Sequence, residues 1–508
     1  MRTCLLPIVA LLASQLATAQ AIPDTTMSGR RSFVEVGGLA ATNASTPFWL
    51  RSRQYGIVPL TNPLGLVRAG TTVVGGNPTG PRRLHLKMGA EVVAAVGPDQ
   101  VRVLLPEAYA SLRFGALELY AGRRREVFGL VDTLLTSGAY SWSGNALPIP
   151  KVQLGTRGFA PLGFTKGVVA INAFYAHGWF GNADSVQGSY LHQKALYGRI
   201  SLFRRRVNLY AGVTHNAQWG GRRRAGTLAK DGQLPSSLTD YLRVVTASET
   251  PVTDTANYVE IDRLNRVGNH LGSIDFALEV LGSGSNWFFY YQHPYEDKSG
   301  VAFQNMPDGL YGIRWRNAYR SYGGFQLQQV TAEWLTTMDQ SGFDIHQNRL
   351  YAGADDYFNN YQYADGWSYG RRIIGTPFIT RRDDTRPDLR DLRSAYGRLV
   401  VSSNRVQVLH LGVLGGWASG AQVRALLSVS QNNGRPILLD PRVPLMQVSA
   451  LAEVLFPVRW LGGSDVAATI ALDQGQWLSN SFGGWLRLRK VFIQNQTVAA
   501  STKHATKR

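Results

Sequence analysis

The sequence has almost no cysteine, since Cys4 is the only one among 508 residues. It lies in residues 1–19, which have the pattern of an export signal: a positive start at Arg2, a short apolar run at residues 5–13 and a small-residue cleavage pattern at the end. Because Cys4 precedes the apolar run, a lipoprotein anchor is not expected. The mature chain should contain no thiol, which excludes a disulfide framework, a zinc–thiolate site and a cysteine nucleophile.

Charged residues are scarce, at 17% against about 25% in ordinary soluble domains, and long uniform apolar runs are lacking. An uncharged window of 18 residues, 406–423, tests this point, but it contains Gln407, His410 and a Gly415-Gly416 pair. A membrane helix needs about 18 to 20 predominantly apolar residues. We therefore interpret the window as two strands and a turn.

Glycine (54 residues), aromatic residues (11%) and alternation with a period of two are plentiful. Over residues 84–96, apolar side chains occupy every second position, while polar groups such as Lys87 and Glu91 lie between them. The alternation recurs at residues 274–280 and 446–456. It is typical of strands with one face in lipid and the other in water, although the strands of a soluble β-sandwich would also alternate.

The number of alternating runs predicts roughly sixteen to eighteen strands, so we expect an all-β membrane protein, a large antiparallel transmembrane β-barrel over residues 20–492. The last run, residues 485–492, alternates leucine with arginine and ends on Phe492, as the C-terminal strands of outer-membrane barrels do. A polar tail, residues 493–508, follows it.

Two segments depart from the strand pattern. Residues 234–245 place Leu238 and Tyr241 at helical spacing behind a serine-rich cap, which predicts a helical insert near residues 225–250. We expect this insert to be a small helical plug element of the barrel. Residues 381–393 are dense in alternating charge and are interpreted as a solvated loop.

Seven short motifs occur along the chain in order. They are TPFWL (46–50), QYG (54–56), YAGR (120–123), NALPIP (145–150), LHQK (191–194), GNHLG (268–272) and GWSY (366–369). Together they resemble the capsule assembly protein Wzi family, in the form found in Bacteroidota, over about residues 33–492. The resemblance implies an outer-membrane β-barrel with a small helical element, acting as a surface lectin that holds exported capsular polysaccharide on the cell.

Residues 355–369 are rich in groups that recognise sugars. Flat aromatic rings can stack on the C–H face of a pyranose, while amides and carboxylates bind its hydroxyls. The predicted polysaccharide-binding residues are Tyr357, Asn359, Asn360, Tyr361, Asp365, Trp367 and Arg371. The alternative is an aromatic girdle at the membrane interface, where tyrosine and tryptophan gather without a ligand.

A second group of polar side chains lies in or beside predicted strands, where an inward direction would place it in the lumen. The group comprises Arg123, Asn145, His192, Lys194, Asn269 and His270. We interpret it as a lumen polar network of hydrogen bonds and ion pairs that stiffens the barrel wall. Ligand binding by the same residues stays open.

The formal net charge of +19 becomes +18 without Arg2, and arginine outnumbers lysine by 44 to 9. Guanidinium groups pair bidentately with carboxylates and phosphates, which suits a uronic-acid polysaccharide or lipopolysaccharide. The expected partners are capsular or other surface polysaccharide, outer-membrane lipid and lipopolysaccharide, and the protein is expected to be a monomer. Nucleic acid is not expected, because the exported chain has no recognition motif.

Enzyme motifs are missing from the sequence, including the Gly-x-Ser-x-Gly elbow, the His-Glu-x-x-His helix and the phosphate loop. The nine histidines lack the spacing of metal ligands, so we predict no catalytic residue, cofactor or metal. Long loops at 125–150, 218–257 and 339–394 provide material to close a pore, which favours a polysaccharide-binding lectin. The alternative is an outer-membrane porin or export channel for anionic solutes or polysaccharide.

Overall fold

Eighteen antiparallel strands close into a barrel in the computed structural model, which describes residues 29–75, 84–98, 100–182, 184–223, 228–319, 323–342, 355–393, 399–436 and 438–495. The strands are β1 (Gly29–Ala41), β2 (Leu64–Gly75), β3 (Leu84–Val96), β4 (Val101–Phe114), β5 (Leu117–Arg123), β6 (Lys151–Thr156), β7 (Val169–Gly181), β8 (Ser189–Leu202), β9 (Val207–Trp219), β10 (Asn269–Leu281), β11 (Ser285–Tyr295), β12 (Gly309–Asn317), β13 (Phe325–Thr336), β14 (Val406–Trp417), β15 (Gln422–Asn432), β16 (Leu445–Val458), β17 (Ser464–Gly475) and β18 (Ser481–Asn495). The predicted large membrane β-barrel is confirmed.

The first and last strands close the sheet. β1 pairs with β18 from Gly29 opposite Asn495 to Ala41 opposite Gly483, and each remaining strand pairs with the next along the chain. The short β6 is supplemented by a two-residue strand, Ala160–Pro161, which also pairs with β7. A closed sheet leaves no unpaired backbone edge, and a β structure can cross lipid only in that form.

The period-two alternation corresponds to the two faces of the wall. In β3, Leu84, Met88 and Val92 are exposed, whereas Glu91 and Val93 are buried in the interior. The window at 406–423 forms β14, a turn and the start of β15, as the sequence predicted. The exposed apolar rows form the belt that contacts lipid.

The two ends of the barrel differ in the length of their connections. One end carries the long connections, residues 42–63, 124–150, 220–268, 296–308, 337–405 and 433–444. The other end carries short connections such as residues 115–116, 203–206, 282–284, 418–421 and 459–463. Outer-membrane barrels have short periplasmic turns and long extracellular loops, so the end with the long connections is the extracellular one.

The described residues contain four short α-helices: α1 (Phe48–Arg51), α2 (Leu238–Thr246), α3 (Glu260–Leu264) and α4 (Lys298–Val301). Ser237 and Asp240 form a capping box at the start of α2, which explains why the helix begins there. No helix in the described ranges has the length and apolar character needed to cross a membrane.

The helix α2 forms as predicted, but its predicted position as a plug is wrong. Tyr241 of α2 packs against His177 and Trp219, which lie on the outer face of the wall. Leu238 and Leu242, on the other side of α2, are 75% and 57% exposed. The helix therefore covers the outside of the barrel, because its aromatic side matches an aromatic patch there.

The interpretation of residues 381–393 as a solvated loop is also wrong at their start. Arg381 is buried, and Asp384 forms an ion pair with Arg51 of α1 at 2.9 Å inside the barrel. β18 extends beyond the predicted final strand to Asn495. The predicted export signal, residues 1–19, and the tail from residue 496 lie outside the described residues.

Deleting residues 485–492 should prevent assembly of the barrel. These residues form the central part of β18, which pairs with both β1 and β17, so their loss opens two sheet edges in lipid. The measurement is heat-modifiable migration of the outer-membrane fraction on a gel. A truncation after Asn495 keeps every ladder pair and should migrate normally, whereas normal migration of the deletion would show that β18 is dispensable.

Candidate functional site

Residues 124–150 cross the interior of the barrel, and we call them the plug. The backbone N–H of Leu130 donates to Asp275 Oδ2 of β10 at 2.8 Å. Asp132 Oδ2 accepts hydrogen bonds from Gln329 Nε2 (2.9 Å) and Thr331 Oγ1 (2.8 Å) of β13. Wall side chains therefore hold the first part of the plug.

Glu333 of β13 holds the next part of the plug. Its carboxylate accepts hydrogen bonds from Thr136 Oγ1 and from the backbone N–H of Ser137, both at 2.5 Å. On the wall of β14, His410 Nε2 donates to the carbonyl of Leu135 at 2.7 Å. The plug is thus bonded to strands β10, β13 and β14.

A second layer, residues 355–393, covers the plug from the extracellular side, and we call it the lid. Ser143 Oγ of the plug donates to the carbonyl of Gly375 at 2.6 Å. Trp367 Nε1 of the lid donates to the carbonyl of Ser141 at 2.8 Å. Arg372 Nη2 of the lid donates to the Val58 carbonyl in the segment that follows α1, at 3.0 Å. The three segments therefore close the lumen as one packed unit.

Three of the predicted sugar-binding residues belong to the interior of this unit, which corrects their assignment to an open surface. Tyr357 and Trp367 are fully buried, and Asn359 is buried. The Tyr357 hydroxyl donates to Asp308 Oδ2 at 3.0 Å, and Asn305 Nδ2 donates to that hydroxyl at 2.7 Å. The polar atoms of these side chains pair with buried polar groups of the irregular chain. Because their rings are fully buried, Tyr357 and Trp367 present no free face to a sugar.

The other predicted sugar-binding residues lie at the surface of the lid. Tyr361 is 43% exposed and Arg371 is 79% exposed, while Asn360 and Asp365 are half-buried. Asp365 Oδ2 accepts a hydrogen bond from the Ser185 backbone N–H at 2.5 Å, which fixes the lid to the connection between β7 and β8. We call Asn360, Tyr361, Asp365 and Arg371 the Tyr361 patch, and its role in binding stays a prediction.

The predicted lumen network divides into two parts. Asn145 lies inside, where its Nδ2 donates to the carbonyl of Ile373 at 2.9 Å, and Asn269 is buried on the inward row of β10. Arg123 lies at the extracellular rim, and its Nη2 donates to the hydroxyl of Tyr369 at 2.9 Å. Asn145 and Asn269 therefore face the interior and Arg123 reaches the lid from the rim, while their role as a stiffening network stays a prediction.

The other three residues, His192, Lys194 and His270, face outward, so their assignment to the lumen is wrong. His192 and Lys194 share the row of β8 that contains the exposed Leu196. His270 shares the row of β10 that contains the exposed Phe276. Neighbouring residues on a strand point to opposite faces. An error of one residue in deciding which positions face inward therefore places a side chain on the wrong side of the wall.

Glu91 was predicted on the polar face of its strand, but Lys151, Arg68 and Glu35 were not singled out from the sequence as interior groups. Lys151 Nζ donates to Gln193 Oε1 at 2.6 Å and pairs with Glu126 of the plug at 2.9 Å. Arg68 joins Glu35 and Glu91 across three strands, at 2.9 Å to each. Each of these wall residues is on the opposite face of its strand from the exposed apolar residues, so the period-two alternation could have identified it.

A family model described as capsule assembly protein Wzi matches residues 40–383, which is more than half of the 508-residue chain. The chain belongs to the capsule assembly protein Wzi family. The resemblance carried by the seven motifs is therefore confirmed. As a Wzi-family β-barrel, the protein is located in the outer membrane.

A solved structure of a Wzi protein shows the same fold. The chain is similar to the Escherichia coli outer-membrane protein Wzi, described as a carbohydrate-binding β-barrel involved in group 1 capsule assembly, with 13% identity and a TM-score of 0.56 over 90% of this chain and 84% of that one. It is also similar to Pseudomonas aeruginosa OccK5 (8%, TM-score 0.45, 92% and 98% covered) and OprD (8%, 0.44, 94% and 96% covered). No curated protein sequence matches the chain.

The extracellular loops of this Wzi-family barrel contain carboxyl groups that are shielded from water, Asp308 fully and Glu296 in part. Burial raises the pKa of Glu296 to about 8, and the charges of Asp356 and Asp297 act in the same direction. Glu296 Oε1 accepts a hydrogen bond from the lid N–H of Phe358 at 2.8 Å, which opposes this shift. Burial also raises the pKa of Asp308 to about 6. The closed lid therefore binds protons more tightly than an open one.

The closed lid should lose stability as the pH rises. A carboxyl group with a raised pKa in the closed state contributes fully below its ordinary pKa near 4.5, and that contribution is lost as the pH approaches about 8. Hydrogen–deuterium exchange of residues 355–369, corrected for intrinsic rates, should increase between about pH 5 and pH 8.5. Glu296→Gln keeps the shape of the side chain and should flatten this increase.

The matched control is Glu260→Gln, a substitution at an exposed position of α3. It should exchange like the native protein across the whole pH range. An equally steep increase in Glu296→Gln would show that another group controls closure of the lid.

Proposed function

We propose that this protein binds exported capsular polysaccharide at the cell surface and helps to attach and assemble the capsule there. The observation that carries the proposal is the closed lumen, because a ligand from outside meets the lid and not a channel. Membership of the Wzi family and the likeness to a carbohydrate-binding barrel support the same function.

The Tyr361 patch has the chemistry that a sugar-binding surface needs. The partly exposed ring of Tyr361 offers a stacking face, and the exposed guanidinium of Arg371 can bind the carboxylate of an acidic sugar. Arg371 also pairs with Asp383 at 2.8 Å, with both side chains solvent-exposed. Such an exposed pair is weak, so a polysaccharide carboxylate can replace Asp383 at small cost.

Polysaccharide is the proposed ligand, whereas outer-membrane lipid and lipopolysaccharide are proposed to contact the outer surface of the barrel. The role is one of binding and not of catalysis. A monomer is sufficient for this function, because the lid of one chain carries the whole Tyr361 patch.

Tyr361→Ala combined with Arg371→Ala should reduce capsule retention without changing insertion of the barrel. Both side chains are exposed on the lid, so their removal takes away stacking and charge but little packing. The measurement is cell-associated against shed polysaccharide, together with binding of purified protein to the host's own capsule. Acidic and neutral glycans serve as reference ligands.

The matched control is Tyr319→Ala combined with Arg204→Ala, an exposed tyrosine and an exposed arginine at the periplasmic end. It should retain capsule as the native protein does. Unchanged retention in the Tyr361 and Arg371 variant would remove this patch from the binding surface.

The native protein should show no stable openings of nanosiemens scale in planar bilayers, since the plug fills the lumen. Asp132→Ala combined with Glu333→Ala removes two carboxylates that hold the plug and should produce transient openings. Asp388→Ala, an exposed lid carboxylate, is the control and should stay closed. Stable openings of the native barrel would favour the porin or export channel instead.

A further inference from the structure

The outer face of the barrel is unusual beside the extracellular rim at strands β7 to β10. Here the outward side chains are aromatic or polar and not aliphatic, and the polar ones include His177, His192, Lys194, His215 and His270. Polar groups on the lipid face of a barrel are costly unless they are covered or paired. This patch therefore requires a partner of its own.

Part of the partner is the connection between β9 and β10. Tyr241 of α2 stacks on Trp219 with ring centroids 5.1 Å apart, and its hydroxyl lies 2.6 Å from that of Tyr175. Lys194 Nζ donates to the carbonyl of Val245. The connection therefore folds down over the outside of the wall and covers most of the histidines. We call its residues 228–268 the flap.

A groove of about 640 Å³ remains between this flap and the segment around α4. Its floor includes Leu196, Val213 and Ile274, which are paired directly across β8, β9 and β10 and form one row. The next row toward the extracellular side contains Lys194 paired with His215. The groove thus changes from apolar to polar along the membrane normal, as a membrane lipid does.

Two cations line the polar end of the groove. Arg266 Nε donates to the carbonyl of Ala247 at 2.6 Å, and Lys194 donates to the carbonyl of Val245. Within the described part of the chain, neither has a carboxylate at ion-pair distance, whereas Lys298 at the same groove pairs with Glu249. Glu296 and Asp297 also line the groove, but Glu296 accepts the Phe358 N–H and Asp297 caps α4. Lys194 and Arg266 therefore keep positive charge available for an anion.

A buried ring nitrogen also lacks a partner there. His270 Nε2 donates to the carbonyl of Val267 at 2.7 Å, so in the neutral ring its Nδ1 accepts from His215 Nε2 at 2.9 Å. His215 Nδ1 is then an acceptor, and no described residue bonds to it. A ligand hydroxyl or amide N–H would satisfy this atom.

We propose that the groove binds an acylated, phosphorylated glycolipid of the outer leaflet, with an acyl chain along Leu196, Val213 and Ile274 and a phosphate at Lys194 and Arg266. A sugar hydroxyl or an amide of the same lipid donates to His215 Nδ1. A plain phospholipid supplies the chain and the charge but lacks the amide-bearing sugar. The site needs only the outer-membrane location, so it is independent of polysaccharide binding by the lid.

The test is binding of purified lipid A to the full-length barrel in a neutral detergent, measured by native mass spectrometry. One lipid A should bind per barrel. Lys194→Gln combined with Arg266→Gln should weaken binding by at least about tenfold, since basic side chains near a membrane surface attract anionic lipid headgroups. Val213→Trp, which fills the floor from an exposed position, should weaken it similarly.

One control is Leu209→Trp, on the same outward face of β9 as Val213 but outside the groove. The other is Lys166→Gln combined with Arg204→Gln at the periplasmic end. Both should bind lipid A as the native protein does, and heat-modifiable migration confirms that every variant is folded. Unchanged binding in the Lys194 and Arg266 variant would overturn the proposal. Equal affinity for phosphatidylglycerol or for dephosphorylated lipid A would overturn the assignment of the ligand.

Discussion

Carboxylates on the inner wall hold the loops across the lumen, and the closed state of the barrel depends on them. Asp275, Glu333 and Asp473 are buried, and each accepts a hydrogen bond from a backbone N–H of a loop segment inside the barrel: Leu130 and Ser137 in the plug, and Phe48 at the start of α1. An irregular chain inside a barrel has backbone donors without ladder partners, and leaving them unpaired is costly. The regular wall therefore supplies the acceptors that the irregular plug needs.

This arrangement decides which surfaces can meet a ligand. The lumen is filled, so recognition of polysaccharide falls to the extracellular lid, where the Tyr361 patch is exposed. The outer wall beside β8 and β9 instead faces lipid, where Lys194 and His215 lie under the flap. The two surfaces lie on different parts of the barrel, the lid over the lumen and the groove on the outer wall, so a polysaccharide and a lipid can bind at once.

Local patterns predicted the wall well, because alternation depends only on neighbouring residues, as in β3 and β14. Motif order predicted the family. The plug and lid could not be predicted in this way, since Glu333 and Ser137 are far apart in sequence. His192 and Lys194 were placed in the lumen because a one-residue shift reverses a strand's faces. Trp367 was predicted to bind sugar because composition does not distinguish a buried ring from a binding ring.

The most direct test of a filled lumen is labelling of Ser137→Cys by a water-soluble thiol reagent. Ser137 lies fully buried in the plug, and its hydroxyl has no partner among the described residues, so the change is small. With Cys4 in the predicted export signal, the background should be low. Ser137→Cys should stay unlabelled in the folded barrel and react only after denaturation, while Asn257→Cys on the exposed flap reacts at once. Rapid labelling of Ser137→Cys in the folded protein would contradict the account.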